Sequence, residues 1–170
     1  QITVSGDVLG GNAASTFVNS SGATLNISGA FLATGTLDAS DVCNTINYNG
    51  SGDQDIKTPL GNQYGELILS GSGNKIMEAS GLIEVACDWT NNAAFNANSG
   101  TVSFNGTALQ TIGGSNQTTF NNLTIDNAAN VELGLQTNVN ATLTLTTGDI
   151  VLGNYRLVLT SETSTISGGS

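Results

Sequence analysis

Histidine is absent from this 170-residue chain, proline occurs once, and lysine and arginine together number three. The missing imidazole removes the commonest general base and metal ligand. Lys57, Lys75 and Arg156 face thirteen acidic residues, for a net charge of −10. Such a surface repels phosphate backbones and anionic lipid, which argues against nucleic-acid and membrane-surface partners. No apolar run approaches the roughly 18 residues needed to span a bilayer. No basic segment followed by an apolar stretch opens the sequence, so a mature form or an excised piece is expected. Charged residues are only 9% of the chain. Disordered chains rely on charge and lack β-branched residues; scarce charge beside abundant Val, Ile and Thr instead favours sheet.

What fills the sequence is short apolar alternation punctuated by Gly, Asn, Ser and Asp. In Asn140–Thr146, residues Ala141, Leu143 and Leu145 fall on one face and Asn140, Thr142, Thr144 and Thr146 on the other, the period of a strand. Corners fall at Asn49-Gly50, Gly71-Ser72-Gly73, Asn105-Gly106, Gly113-Gly114 and Thr147-Gly148-Asp149, residue types suited to sharp turns. Asn in successive corners is expected to stack into amide ladders. Pro59 sits in the longer Lys57–Gln63 connection, where its missing N–H costs no ladder bond. No apolar stripe has helical spacing.

The strongest pattern is an internal repeat. Residues 44–99 slide onto 100–155 by 56 positions without a gap. Thr45–Gly50 then meets Thr101–Gly106, Gln54 and Ile56 meet Gln110 and Ile112, Leu67 meets Leu123, and Trp89 meets Leu145. Inward runs start near Ile46, Leu67 and Ile83 in one copy and Val102, Leu123 and Val139 in the other, followed by Leu157. The expectation is an all-β parallel β-solenoid in one domain. Irregular coils occupy 1–43, two three-coil units occupy 44–99 and 100–155, and a last strand and polar tail occupy 156–170. About nine coils of roughly 16–21 residues would make a rod on the order of 40 Å long at ~4.8 Å per rung. Neither end shows a cap, so either longer flanking sequence has been cut away or other copies stack end to end on the strand edges at Ile2, Val4, Leu157, Val158 and Leu159.

Phe104-Asn-Gly-Thr-Ala-Leu-Gln-Thr-Ile-Gly, Thr119-Phe-Asn-Asn-Leu-Thr-Ile-Asp and Ala141-Thr-Leu-Thr-Leu-Thr-Thr-Gly-Asp-Ile resemble the degenerate repeats of large extracellular proteins from Bacteroidota-type bacteria. The resemblance spans roughly residues 44–160. It implies a right-handed parallel β-helix, export, commonly by the type IX route, and adhesin or matrix roles at the cell surface.

The remaining candidate sites have plain structural readings. No catalytic or cofactor-binding residue and no resident metal is expected. An incidental calcium ion would fall at Asp38, Asp41, Asp53 and Asp55, of which Asp53 and Asp55 lie in a Gly50–Ile56 turn whose repeat partner carries no carboxylate. Cys43 and Cys87, counted two or more coils apart, exceed the ~7 Å Cα limit for a bridge. Two unpaired thiols are expected, with a bridge favoured in an oxidising exterior if the rung count is wrong. Trp89 reads as core, because its counterpart is Leu145. Asn19, Asn26, Asn49, Asn105, Asn116, Asn122 and Asn140 match the glycosylation triplet, as expected by chance in so Asn- and Thr-rich a chain. Outward Thr142 and Thr144 resemble the threonine arrays of ice-binding solenoids, but the 56-residue shift pairs them with Ala86 and Asp88 and so interrupts the array.

The expected role is structural: a secreted, non-enzymatic rigid spacer, filament-forming or adhesin segment of a bacterial surface protein. The competing expectation is a carbohydrate-binding or carbohydrate-cleaving β-helix, with glycans as partners and a row of outward aromatic or acidic residues at coil spacing.

Overall fold

A computed structural model describes residues 1–169. Short strands pair in parallel throughout, as they must when each coil lays the same strand one rung above the last. The chain winds around three faces. The first face is an eight-stranded sheet made of Ile2–Val4, Thr24–Ile27, Thr45–Tyr48, Glu66–Leu69, Trp89–Asn91, Gln110–Gly114, Val131–Leu133 and Ile150–Val151. The second begins with Gln54–Asp55, Asn74–Ile76 and Ala94–Asn96. It continues in the first halves of two long strands, Thr118–Asp126 and Thr137–Thr147, and then Leu157–Leu159. The third face carries Thr16–Val18, Thr36–Asp38, Gln63–Tyr64, Leu82–Val85, Thr101–Phe104, the second halves of the long strands, and Thr165–Gly168. A three-residue helical turn, Leu60–Asn62, follows Pro59 in the longer connection. Among the described residues no helix is long and apolar enough to cross a membrane.

The solenoid has eight rungs on its first face, which at ~4.8 Å each gives a rod of about 38 Å. The register Leu25, Ile46, Leu67, Trp89, Ile112, Leu133 climbs in steps of 21 to 23 residues. Coils are therefore longer and fewer than the nine expected. The 56-residue repeat explains the miscount. Thr45–Tyr48 lies on the first face, yet its repeat partner Thr101–Phe104 lies on the third. Leu67 on the first face matches Leu123 on the third, and Ile83 on the third matches Val139 on the second. One repeat thus advances two coils and about two-thirds of another, returning to the same kind of strand and corner on a different side. Starts at Leu123 and Val139 belong to different faces, so their separation underestimates a coil.

Apolar columns from the three faces fill the bore. Ile46, Leu67, Trp89 and Ile112 back the first, and Ile83, Val102 and Leu123 the third; all are buried. At mid-height Trp89 packs on Phe95 (ring centroids 5.0 Å) and Phe120 (5.3 Å), and Phe120 meets Phe104 edge-on. Trp89 is wholly buried, and its indole N–H donates to Thr118 Oγ1 at 3.2 Å. It is core, as its repeat partner implied.

Candidate functional site

Bends of the backbone leave polar groups facing the bore, and buried polar side chains satisfy them. Gln54 accepts from the Gly50 N–H (2.7 Å) and donates to the carbonyls of Ile27 and Gly29 in the coil below. Gln110 repeats this one motif later: it accepts from Gly106 N–H (2.9 Å) and donates to Val85 O (2.8 Å) and Cys87 O. The shared Asn-Gly-x-x-x-Gln spacing encodes a corner plug, which works on whichever side the repeat lands. Lys75, stacked on Gln54, plugs its corner as a cation, donating to the carbonyls of Gly50 (2.8 Å), Ser72 (3.0 Å) and Gly52 (3.4 Å). Burial lowers its pKa, and the Asp53 carboxylate partly offsets that. The Asn–Asn contact expected at the corners forms instead within a strand pair: Asn47 donates to Asn26 Oδ1 (2.9 Å), and Ser70 donates to Asn47 Oδ1. At the corners, Asn49 accepts from Ser28 and Asn105 pairs with Gln63.

Cys43 and Cys87 form a disulfide, with Cα atoms 5.8 Å apart, which overturns the expectation of two unpaired thiols. The two residues do belong to coils two apart, since Ala39 pairs with Tyr64 and Tyr64 with Val85. The intervening corner is the single residue Gly65, between Gln63–Tyr64 and Glu66–Leu69. A Cβ there would lie 2.6 Å from Asn44 O. With so little chain between them, the longer 40–44 loop reaches across, turned back by Cys43 in the left-handed region (φ 52°). Cys87 is thus half of a clamp rather than a core hydrophobe.

The four aspartates are not assembled. Asp38 caps Ser40, Asp41 accepts from Ser21 N–H, Asp53 accepts from Asn74, and Asp55 is exposed on the second face. Among the described residues, no group of three or more His, Cys, Asp or Glu is placed to hold a metal ion. Asp55 lines a side groove of about 640 Å³ with Lys57, Thr58 and Glu78 over a floor of Phe31, Ile56 and Met77. Thr58 donates to Glu78 across it. Beneath, the Lys57 N–H donates to Tyr48 Oη (3.0 Å), the two phenols lie 3.1 Å apart, and Tyr64 donates to Lys57 O. Burial pushes the Tyr48 phenol up to about 12. Tyr64 is raised too, by burial and then by its neighbour Tyr48.

The ends of the rod hold the residues singled out for self-association. Ile2 and Val4 stack on Leu25 and Ile27, so their side chains face the bore, yet Ile2 is 57% exposed because no coil lies beneath it. At the other end Leu157, Val158 and Leu159 pair with Thr137, Asn138 and Val139. Sequence reasoning missed Ile166, 59% exposed above Leu143 on the third face, and Ile150 above Val131 on the first. Each matched a bore position, but only the face assignment reveals that no described strand lies above it. Backbone direction also divides the set. Thr137 N–H donates to Arg156 O and Thr160 N–H to Val139 O; by the alternation of a parallel ladder, Val158 bonds inward and Leu157 and Leu159 point their N–H and C=O groups outward. At the first strand, Ser28 N–H donates to Val4 O, so Ile2 and Val4 bond inward and Thr3 faces the open edge.

Comparison with protein-family models, with curated proteins and with solved structures returned no match.

Proposed function

We propose that this chain is a structural segment of an extracellular bacterial repeat protein, a rigid spacer whose ends continue the β-ladder into another copy. The observation that supports this reading is a stack of parallel rungs whose outermost described strands keep a free edge. The C-terminal end presents three strands, one per face, and the N-terminal end two, Ile2–Val4 and Thr16–Val18, with the single bridge residue Val8 on the second face; outward backbone groups there surround exposed bore residues. In a face-matched junction Ile150–Val151 meets Ile2–Val4, and Thr165–Gly168 meets Thr16–Val18. The first- and third-face edges would then gain the parallel partners they lack, and Ile2 and Ile166 would leave water, a burial favoured by about 25 cal/mol per Å². The disulfide suits an oxidising exterior, in keeping with a secreted protein.

The test is electron microscopy and sedimentation of the purified chain over a concentration series, beside a Thr3→Pro variant. Thr3 has an exposed side chain and an outward N–H, so proline deletes an edge donor without touching the internal ladder. The wild type is expected to lengthen into rods with rising concentration, and Thr3→Pro to remain short with an unchanged circular dichroism spectrum. Monodisperse wild type at every concentration would rule out stacking of copies.

A further inference from the structure

The outward side of the third face carries an array that the 56-residue comparison hides. Because that shift crosses from one face to another, Ala86 and Asp88 are not the rung neighbours of Thr142 and Thr144. The register places Thr101, Asn122, Thr142 and Thr165 in one column, and Ser103, Thr124, Thr144 and Ser167 in the next. Seven of these eight positions carry hydroxyls and the eighth an amide. None is charged, although the chain has thirteen acidic residues. The columns begin above Leu82 and Glu84, and the two register shifts in the long strands fall outside them, at Phe120/Asn122 and Ile125/Asp126. Ser103 is sheltered, and the rest are half-buried or exposed.

Such a face is a two-dimensional lattice. Rungs repeat every ~4.8 Å along the rod, and alternate residues every ~6.7 Å along each strand. Both repeats are close to the spacings between water molecules on planes of hexagonal ice. Bore packing of Val102, Leu123 and Leu143 holds the strands from behind. Hydroxyl contacts, Thr142 to Thr165 (3.2 Å) and Ser167 to Thr144 (3.2 Å), together with the stiff χ1 of threonine, fix the array from within. Each hydroxyl retains capacity for water beyond such a bond. Charged side chains would impose hydration shells of their own; here the methyl and hydroxyl of each threonine leave first-layer water to follow the lattice.

We propose that this face binds ice, its ligand being the surface of crystalline water rather than a solute. This goes beyond the structural role and uses the side of the rod, not its ends. The test is performed in the Thr3→Pro background, so that stacking has no part in the outcome. Thermal hysteresis, inhibition of ice recrystallisation and partition into a growing ice hemisphere are measured for this protein and for added Thr144→Tyr and Thr90→Tyr substitutions. Thr90 lies on the outward side of the first face, between Ile68 and Gly113, and Tyr is well accepted in strands. Ice activity in the parent and in Thr90→Tyr, with its loss in Thr144→Tyr at unchanged melting temperature, is the expected result. A Thr144→Lys variant serves the same purpose if the tyrosine variant misfolds. Ice growth indistinguishable from that in a non-binding protein of equal size would overturn the proposal, as would full activity in a folded Thr144 variant.

Discussion

At the scale of single residues, the fold depends on side chains that finish what the backbone leaves open. Gln110 is the clearest case, since it satisfies one N–H and two carbonyls and also accepts from Asn127 Nδ2 (2.8 Å). Leucine has nearly its volume and none of its bonds, so Gln110→Leu strands several buried polar groups. The expected loss is about 2–3 kcal/mol in urea unfolding; a loss within experimental error would show that the corners are not held by their plugs. The buried phenols of Tyr48 and Tyr64 give a pH signature. In the unfolded chain both ionise near pH 10, whereas in the folded chain Tyr48 keeps its proton to about 12 and Tyr64 is likewise raised. Between those values the native state binds more protons than the unfolded one, so stability falls as pH rises through that window and is undiminished by these groups below it. Tyr48→Phe should flatten the alkaline decline, followed by unfolding midpoints at stepped pH. An identical decline in the variant would place its cause elsewhere.

Elements show what the sequence could and could not reveal. Strand alternation and Gly/Asn corners were legible, because a strand buried on one side must alternate and a sharp bend needs residues that tolerate it. The core identity of Trp89 was legible from Leu145 for the same reason. The face of each strand was not, because the motif of strand, Asn-Gly corner and glutamine plug is local and can recur after any number of sides. The Cys43–Cys87 bridge, the Thr/Ser columns and the exposed Ile166 all depend on that missing assignment. The bridge was hidden additionally by Gly65, a one-residue corner that brings coils two apart within reach. Closing a loop across a sequence separation of 44 restricts the unfolded chain by about 4 kcal/mol in the chain-entropy model. A Cys43→Ser/Cys87→Ser protein is therefore expected to lose most of that amount, and adding reductant to the wild type should reproduce the loss in chemical unfolding. If the double variant matches the oxidised protein, the clamp is not a source of stability.

Across the whole molecule the solenoid is nearly one-dimensional: apart from the Cys43–Cys87 bridge and the Gln63–Asn105 pair, which join coils two apart, each strand pairs with those above and below, so stability is close to a sum over coils and their junctions. The central coils hold the disulfide, the Trp89–Phe95–Phe120 cluster and the plugs Gln54, Lys75 and Gln110. The terminal coils have one neighbour each and exposed bore residues. Amide hydrogen exchange in dilute solution should accordingly be slowest near Tyr64, Val85 and Phe104 and fastest in the strands around Thr3 and Ile166. Raising the protein concentration tests the ends directly. If copies stack, the outward N–H groups of Thr3 and Ile150 on the first face acquire acceptors, and their exchange slows with concentration while the central amides, already limited by global unfolding, change far less. If the ends do not meet, the profile is the same at every concentration. Salt separates stacking from non-specific aggregation driven by charge. Copies that each carry −10 repel at low ionic strength, so screening should strengthen the protection of the end strands; protection that weakened with salt would mean the junction is held by ion pairs, contrary to the apolar and backbone contacts argued for it.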